Sequence, residues 1–291
     1  MVKTALVLSG GGAKGAFQFM AEKYAREQKG YKWDIIAGVS VGALNGVMLA
    51  MKKYERLEKL WRTITRDQVM TGKMNVWAIL RMIFGAKSVY GNAPLWRLIE
   101  REVDPNKIEV ELRIGTVSLQ TGEYVRFRQG DPGLKEAVLA STAIPIVWAP
   151  VVVSPEHTTM VDGGVRNVSP LGDVLDDEPG EVVVINCNPR RPPRSTTPLR
   201  NAVEIGRQAL EVALSEILIT DIREFVRINK NVKEAANHGV TLHNEEGKPY
   251  KYYESKIIEP DEPLDDTLDF SREALNRSME AGWKKAKEVL G

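Results

Sequence analysis

Apolar residues recur along this chain in two rhythms, one suited to strands and one to helices. Residues 4–8 (TALVL) form a short apolar run, followed by a glycine loop and by Phe17, Met20 and Tyr24 at helical spacing over residues 16–28. Residues 34–39 then read as a buried strand, and 41 to about 64 as one long helix. Strands alternating with helices across short connections predict a parallel sheet covered on both faces. Farther on, 108–118 and 123–128 predict strands flanking the hairpin-type turn Thr121-Gly122. Residues 134–143 predict a helix that stops before Pro145, and 151–154 and 158–161 predict short strands. The run EVVVIN (181–186) predicts another buried strand, then 202–232 a long helix, 252–258 a short strand and 271–290 a last helix. Residues 74–84 (MNVWAILRMIF) carry Arg81 as their one charge and fit either a core helix or a mobile lid that touches lipid.

Size and charge narrow the function classes. With 291 residues the chain sits near the upper limit for one hydrophobic core, so a single domain over 1–291 is expected, its core at roughly 4–190 and a helical part at 200–291. Forty basic and thirty-nine acidic residues leave a net charge of +1, which excludes a global basic field for nucleic acid. One cysteine, Cys187, permits no internal disulfide and no thiolate zinc site. The first apolar run is shorter than the ~7–15 residues of a secretory segment, and no stretch approaches the ~20 needed to span a bilayer. A cytoplasmic protein is expected, at most peripherally attached to membrane.

Two motifs lie where the first two strands end. Gly38-Val39-Ser40-Val41-Gly42 joins a strand to a helix, as a nucleophilic serine on a sharp turn requires; glycines two residues either side relieve the crowding there. The turn also sets Ser40 at a helix N-terminus, which favours developing negative charge. A glycine-flanked helix cap is the plainer alternative. The second motif is Ser9-Gly10-Gly11-Gly12-Ala13-Lys14-Gly15, which contains Gly10-x-Gly12-x-x-Gly15. A dinucleotide site would want an acid at the end of the second strand, and Asp34 begins that strand. A phosphate-binding loop would want Ser or Thr after Lys14, where Gly15 stands. Bare glycine N–H groups suit an oxyanion hole instead, and parallel strands would bring both loops to one sheet edge.

The serine needs a base. Of the three histidines, His238 and His243 would fit a Ser-acid-His order, but both lie in a polar, turn-rich segment. Asp162, in Val161-Asp162-Gly163-Gly164, follows a short apolar strand and is the better candidate, although Asp-Gly-Gly alone is most often a turn. Arg190, Arg191 and Arg194 follow EVVVIN and could face anionic head groups, or form a solvated loop.

Taken together and in order, Gly10-Gly11-Gly12-Ala13-Lys14-Gly15, Gly38-x-Ser40-x-Gly42 and Asp162-Gly163-Gly164 resemble the patatin-like phospholipase family. Ala140-Ser141-Thr142-Ala143-Ile144-Pro145 and the stretch 167–170 add to the likeness, which spans roughly 4–190. The resemblance implies a three-layer α/β/α fold with a mainly parallel sheet and a Ser–Asp dyad without histidine, metal or cofactor. By it Ser40 is the nucleophile and Asp162 the base. The oxyanion hole comes from the Gly10, Gly11, Gly12 and Ala13 run, Gly11 and Gly12 foremost, with Lys14, Gly15, Gly38, Gly42, Gly163 and Gly164 in support. The implied activity is hydrolysis of lipid acyl esters through an acyl-enzyme. The alternative class is a nucleotide- or lipid-binding protein that uses the glycine loop without catalysis.

Overall fold

The computed structural model describes residues 3–72, 88–191 and 198–291. Its centre is a sheet in the spatial order β4-β3-β2-β1-β6-β7, with β5 set against β3. The strands are β1 (Thr4–Leu8), β2 (Ile35–Val39), β3 (Glu111–Ser118), β4 (Tyr124–Arg128), β5 (Met160–Asp162), β6 (Glu181–Ile185) and β7 (Glu254–Ile258). The pairs β1–β2, β1–β6, β2–β3 and β6–β7 are parallel, whereas β4 and β5 run antiparallel to β3. The expected mainly parallel α/β architecture is present.

Side chains of a strand point alternately to its two faces, and each face here meets its own helices. Leu6, Leu8, Ile36, Leu112 and Ile185 join one core with α1 (Gly15–Lys29), α2 (Val41–Ala50), α3 (Tyr54–Thr63), α4 (Ala93–Glu102) and α5 (Leu134–Ser141). Ala5, Val7, Ile35, Val182 and Val184 face the other way, onto Leu218 and Ile222 of α6 (Ala202–Asn237). Continuous apolar strands such as EVVVI are the sequence mark of this two-sided burial.

Helix α7 (Arg272–Leu290) packs along α1 more closely than side chains normally allow. A Cβ on Gly282 would stand 2.2 Å from the Phe17 carbonyl oxygen, so the helices touch backbone to backbone there. Tyr24 and Trp283 meet edge to face beside this contact, centroids 5.0 Å apart.

The long helix expected over 41–64 is two helices. It breaks at Met51–Lys53, with Lys52 in the left-handed region at φ 54°. The break folds α3 back along α2, burying Leu57 and Trp61, which a straight helix would have carried away from the core. The strand expected at 151–154 is reduced to isolated bridges, Val151 to Met160 and Ser154 to His157. Residues 74–84 lie outside the described residues, as does Arg194.

Gly282 supplies a test of the α1–α7 contact. In an exposed helix Gly→Ala would stabilise, but here the methyl meets backbone that cannot move aside. Gly282→Ala is expected to lower stability by about 1–3 kcal/mol in urea unfolding; a neutral or raised midpoint would show that the helices part freely.

Candidate active site

The site begins where β1 and β2 end. Ser40 follows β2 directly and holds φ 58° and ψ −126°, outside the regions that non-glycine residues favour. Such a conformation costs on the order of 1–3 kcal/mol and persists only where its surroundings fix it. Three contacts do so. A Cβ on Gly42 would lie 2.2 Å from the Leu8 carbonyl oxygen, and one on Gly38 would lie 2.2 Å from the Gly42 carbonyl oxygen. The bare glycines thus let α2 start directly against the end of β1. From the other side, the Ser40 N–H donates to Ser141 Oγ (2.9 Å), whose hydroxyl donates to the Gly115 carbonyl (2.7 Å).

Strand register delivers Asp162 to the same place. Val39 pairs with Gly115 across β2–β3, and Thr116 pairs with Val125 of β4 on one edge and Asp162 of β5 on the other. β5 thus takes up the edge of β3 that β2 leaves, and the acid arrives beside the serine. Its backbone N–H donates to the Ala143 carbonyl (3.1 Å), so the segment 141–143 holds both residues. Asp162 is buried, and burial pushes its carboxyl up from 3.8 to about 7. The Gly164 N–H, which donates to Oδ1 (2.8 Å), and the nearby Ser40 hydroxyl favour the charged form and offset part of that rise.

The glycine loop lies across from them. A Cβ on Gly10 would stand 3.3 Å from Ser40 Cβ. The Gly10 N–H donates to the Val168 carbonyl (3.0 Å) and the Ala13 N–H to the Thr267 carbonyl (2.8 Å). These two donors of the expected oxyanion run are therefore engaged; those of Gly11 and Gly12 have no backbone acceptor among the described residues. Gly12 takes φ 57° with the Thr267 backbone packed against it, where no side chain would fit. Beneath the loop, Gln18 Nε2 donates to the carbonyls of Ser9 (2.8 Å) and Ile185 (3.0 Å). Asn45 Nδ2 donates to Gln18 Oε1 and to the Gly15 carbonyl, and Trp61 Nε1 donates to Asn45 Oδ1 (2.8 Å). This buried network ties the loop to α1, α2 and α3.

Two cavities meet at Ser40. One is narrow and apolar, runs between α2, α3 and α4, and is lined by Leu44, Met48, Leu57, Trp61, Leu95 and Ile99 among others. The other is mixed in character and reaches Asp162, Gly11, Lys14, Asn188, Arg207 and Glu211. Ser40 and Ile144 belong to both walls. Lys14 donates to Asn188 Oδ1 (2.6 Å), and its burial lowers its pKa from the ordinary lysine value. Arg207 pairs with Asp266 at 3.1 Å.

A family model described as patatin-like phospholipase matches residues 6–175, more than half of the chain. The chain belongs to the patatin-like phospholipase family. It is 28% identical over 195 residues to the cGAMP-activated phospholipase of Escherichia coli (strain TW11681), covering 57% of this chain and 54% of that protein. It thus spans about half the length of that curated relative. The crystal structure of VipD from Legionella pneumophila is similar in fold, with a TM-score of 0.50 at 15% identity, over 99% of this chain and 66% of that one.

The patatin-like match includes the glycine loop, Ser40 and Asp162, whereas Asn188, Arg207 and Thr267 lie beyond it. His238 and His243 are exposed and line neither cavity at Ser40. Arg190 and Arg191 form exposed ion pairs with Glu259 and Glu262, both at 2.7 Å, and Arg191 also lines the mixed cavity. Among the described residues no three potential ligands converge as a metal site, and no helix is long and apolar enough to cross a membrane. Ser141, Gln18, Asn45 and Thr267 were not singled out by sequence. Ser141 stood inside a family-like stretch, but its partners lie 26 and 101 residues away.

Buried Asp162 links stability to pH. Its folded value of about 7 exceeds the unfolded one, so between pH 4 and 7 the folded state holds a proton that the unfolded state lacks. Stability from this group therefore falls as pH rises through that window. Asp162→Asn removes the loss and keeps the Oδ1 acceptor for Gly164. At pH 8 it is expected to be more stable than the parent by about 2–4 kcal/mol, with the difference vanishing near pH 4. Urea titrations at both pH values check this, and equal stability at pH 8 would contradict a buried charged carboxylate.

Proposed function

We propose that this protein hydrolyses acyl esters of lipids, with Ser40 as nucleophile and Asp162 as its base. The observation that carries the reading is a buried carboxylate, Asp162, poised near neutrality beside Ser40, with the two glycine N–H groups of Gly11 and Gly12 unengaged among the described residues. A carboxylate at its ordinary pKa is a poor base at pH 7, and burial corrects this.

Ser40 Oγ attacks the ester carbonyl as its proton passes to Asp162. The oxygen of the tetrahedral intermediate takes its charge within reach of the Gly11 and Gly12 N–H groups and the N-terminus of α2. Collapse breaks the C–O bond, Asp162 returns the proton to the departing alcohol, and the acyl group stays on Ser40. Water then attacks the acyl carbon, Asp162 taking and returning its proton, and the free acid leaves with Ser40 restored. The apolar cavity suits the acyl chain, and the mixed cavity beside Lys14 suits the alcohol half, including an anionic head group.

In this reading Ser141 is a positioning residue, holding the strained Ser40 backbone. The family membership supports lipid ester hydrolysis in general; the dyad and acyl-enzyme rest on the geometry of this site.

Ser40→Ala and Asp162→Asn are expected each to lower kcat on a soluble short-chain ester by about 10⁴-fold. His238→Ala and His243→Ala should leave it unchanged. A fluorophosphonate probe should label the parent and not Ser40→Ala; labelling that survives would move the nucleophile elsewhere. Because the base must be deprotonated, kcat/KM should rise with pH through about 7 and lie roughly a hundredfold below its plateau at pH 5.

A further inference from the structure

The mixed cavity beside Ser40 carries charges of both signs. One part of its wall is the glycine loop with Lys14. Another is α6, which turns Arg207, Glu211, Leu214 and Leu218 towards it at helical spacing. Arg207 has Asp266 beside it at 3.1 Å, and Arg191 has Glu262 at 2.7 Å. Lys14 and Glu211 are provided for differently. The Lys14 ammonium donates to a neutral amide, Asn188 Oδ1, at 2.6 Å. The half-buried Glu211 carboxylate has no hydrogen bond or ion pair among the described residues. Burial lowers the Lys14 pKa and raises that of Glu211, and the field each exerts on the other offsets only part of this. The two charges thus act on one another through space without meeting.

A ligand that satisfies both must bring an anion and a cation of its own, joined by a short spacer. In a glycerophospholipid the anion is the phosphate, next to the glycerol esters, and the cation is the far end of the head group. Lys14 belongs to the loop whose Gly10 reaches Ser40, which suits the phosphate, and Glu211 on α6 suits the cation. The lining also chooses between cations. Among the described residues it holds no aromatic side chain, so a quaternary ammonium finds no ring face to lie on. A primary ammonium brings N–H donors, which a carboxylate accepts strongly. We propose that Glu211 selects the head group at this site, accepting from the ammonium of a phosphatidylethanolamine whose phosphate lies against Lys14. The proposal rests on the reading of Ser40 as the nucleophile of a lipid ester hydrolase. Glu211 lies beyond residues 6–175, which the family model matches.

Calorimetry with short-chain diether analogues, which carry no ester, reads head-group choice without turnover. The parent should bind the ethanolamine analogue about tenfold more tightly than the choline or glycerol analogue. Values of kcat/KM on the matching short-chain diesters should follow the same order. Glu211→Gln keeps the shape and drops the charge, and should bring the ethanolamine-to-choline ratio to about one in both measurements. Glu211→Lys should favour the glycerol analogue, whose phosphate is its one charge. Equal binding of the ethanolamine and choline analogues by the parent overturns the proposal, as does a folded Glu211→Gln that keeps the parent's ratio. If that variant fails to fold, Glu211→Asp sets the carboxylate one methylene back, and an undiminished ratio there overturns the proposal equally. Esters hydrolysed without regard to head group would end the role of Glu211 and leave Ser40 in place. An ethanolamine preference in binding with no ester hydrolysed would instead sink the hydrolase reading and leave Glu211 standing.

Discussion

Where α2 meets the end of β1, the Leu8 carbonyl leaves Gly42 room for hydrogen and nothing larger. That close approach sets the distance between the first two loops of the sheet. It lets the chain turn from strand to helix within Ser40 itself, throwing the hydroxyl clear of the backbone at the edge where the glycine loop also emerges. A methyl at Gly42 would push α2 off β1 and separate the hydroxyl from the loop's N–H groups. The strained Ser40 backbone, its tether to Ser141 and the arrival of Asp162 along β5 all presuppose that contact.

Around this point the polar groups are divided by task. Gln18, Asn45 and Trp61 satisfy one another and the loop carbonyls, which leaves the adjoining cavity an apolar surface although Asn45 and Trp61 line it. Asp162 is treated differently. It has the Gly164 N–H and the Ser40 hydroxyl beside it and no cation among the described residues, so desolvation dominates and its proton affinity rises. A neighbouring arginine would have held the charge at a lower pKa and made the carboxylate a weaker base.

Much of this was legible in the sequence because it depends on local pattern. The EVVVI run announces a strand buried on both faces, and Gly38-x-Ser40-x-Gly42 announces a turn too tight for side chains. The glycine run announces free N–H groups, but not which ones. Gly10 and Ala13 lose theirs to Val168 and Thr267, partners no local reading could supply. The break at Lys52 was hidden for a related reason: residues 51–53 carry no glycine or proline, and the turn is imposed by the gain from burying Trp61. Long-range contacts likewise decide that Arg190 and Arg191 lie beside Glu259 and Glu262.

The bond from Ala13 to the Thr267 carbonyl joins the first loop of the chain to a segment some 250 residues later. A ribosome emits these two pieces at opposite ends of its work on the chain. Until residues near 267 have emerged and docked, Gly12 lacks the wall that selects its left-handed conformation, and the loop has no reason to present its N–H groups together. The nascent protein can thus complete its central strands β1, β2, β3 and β6 and still lack an ordered loop at Ser40. Completion of the site is therefore deferred to a late step in synthesis.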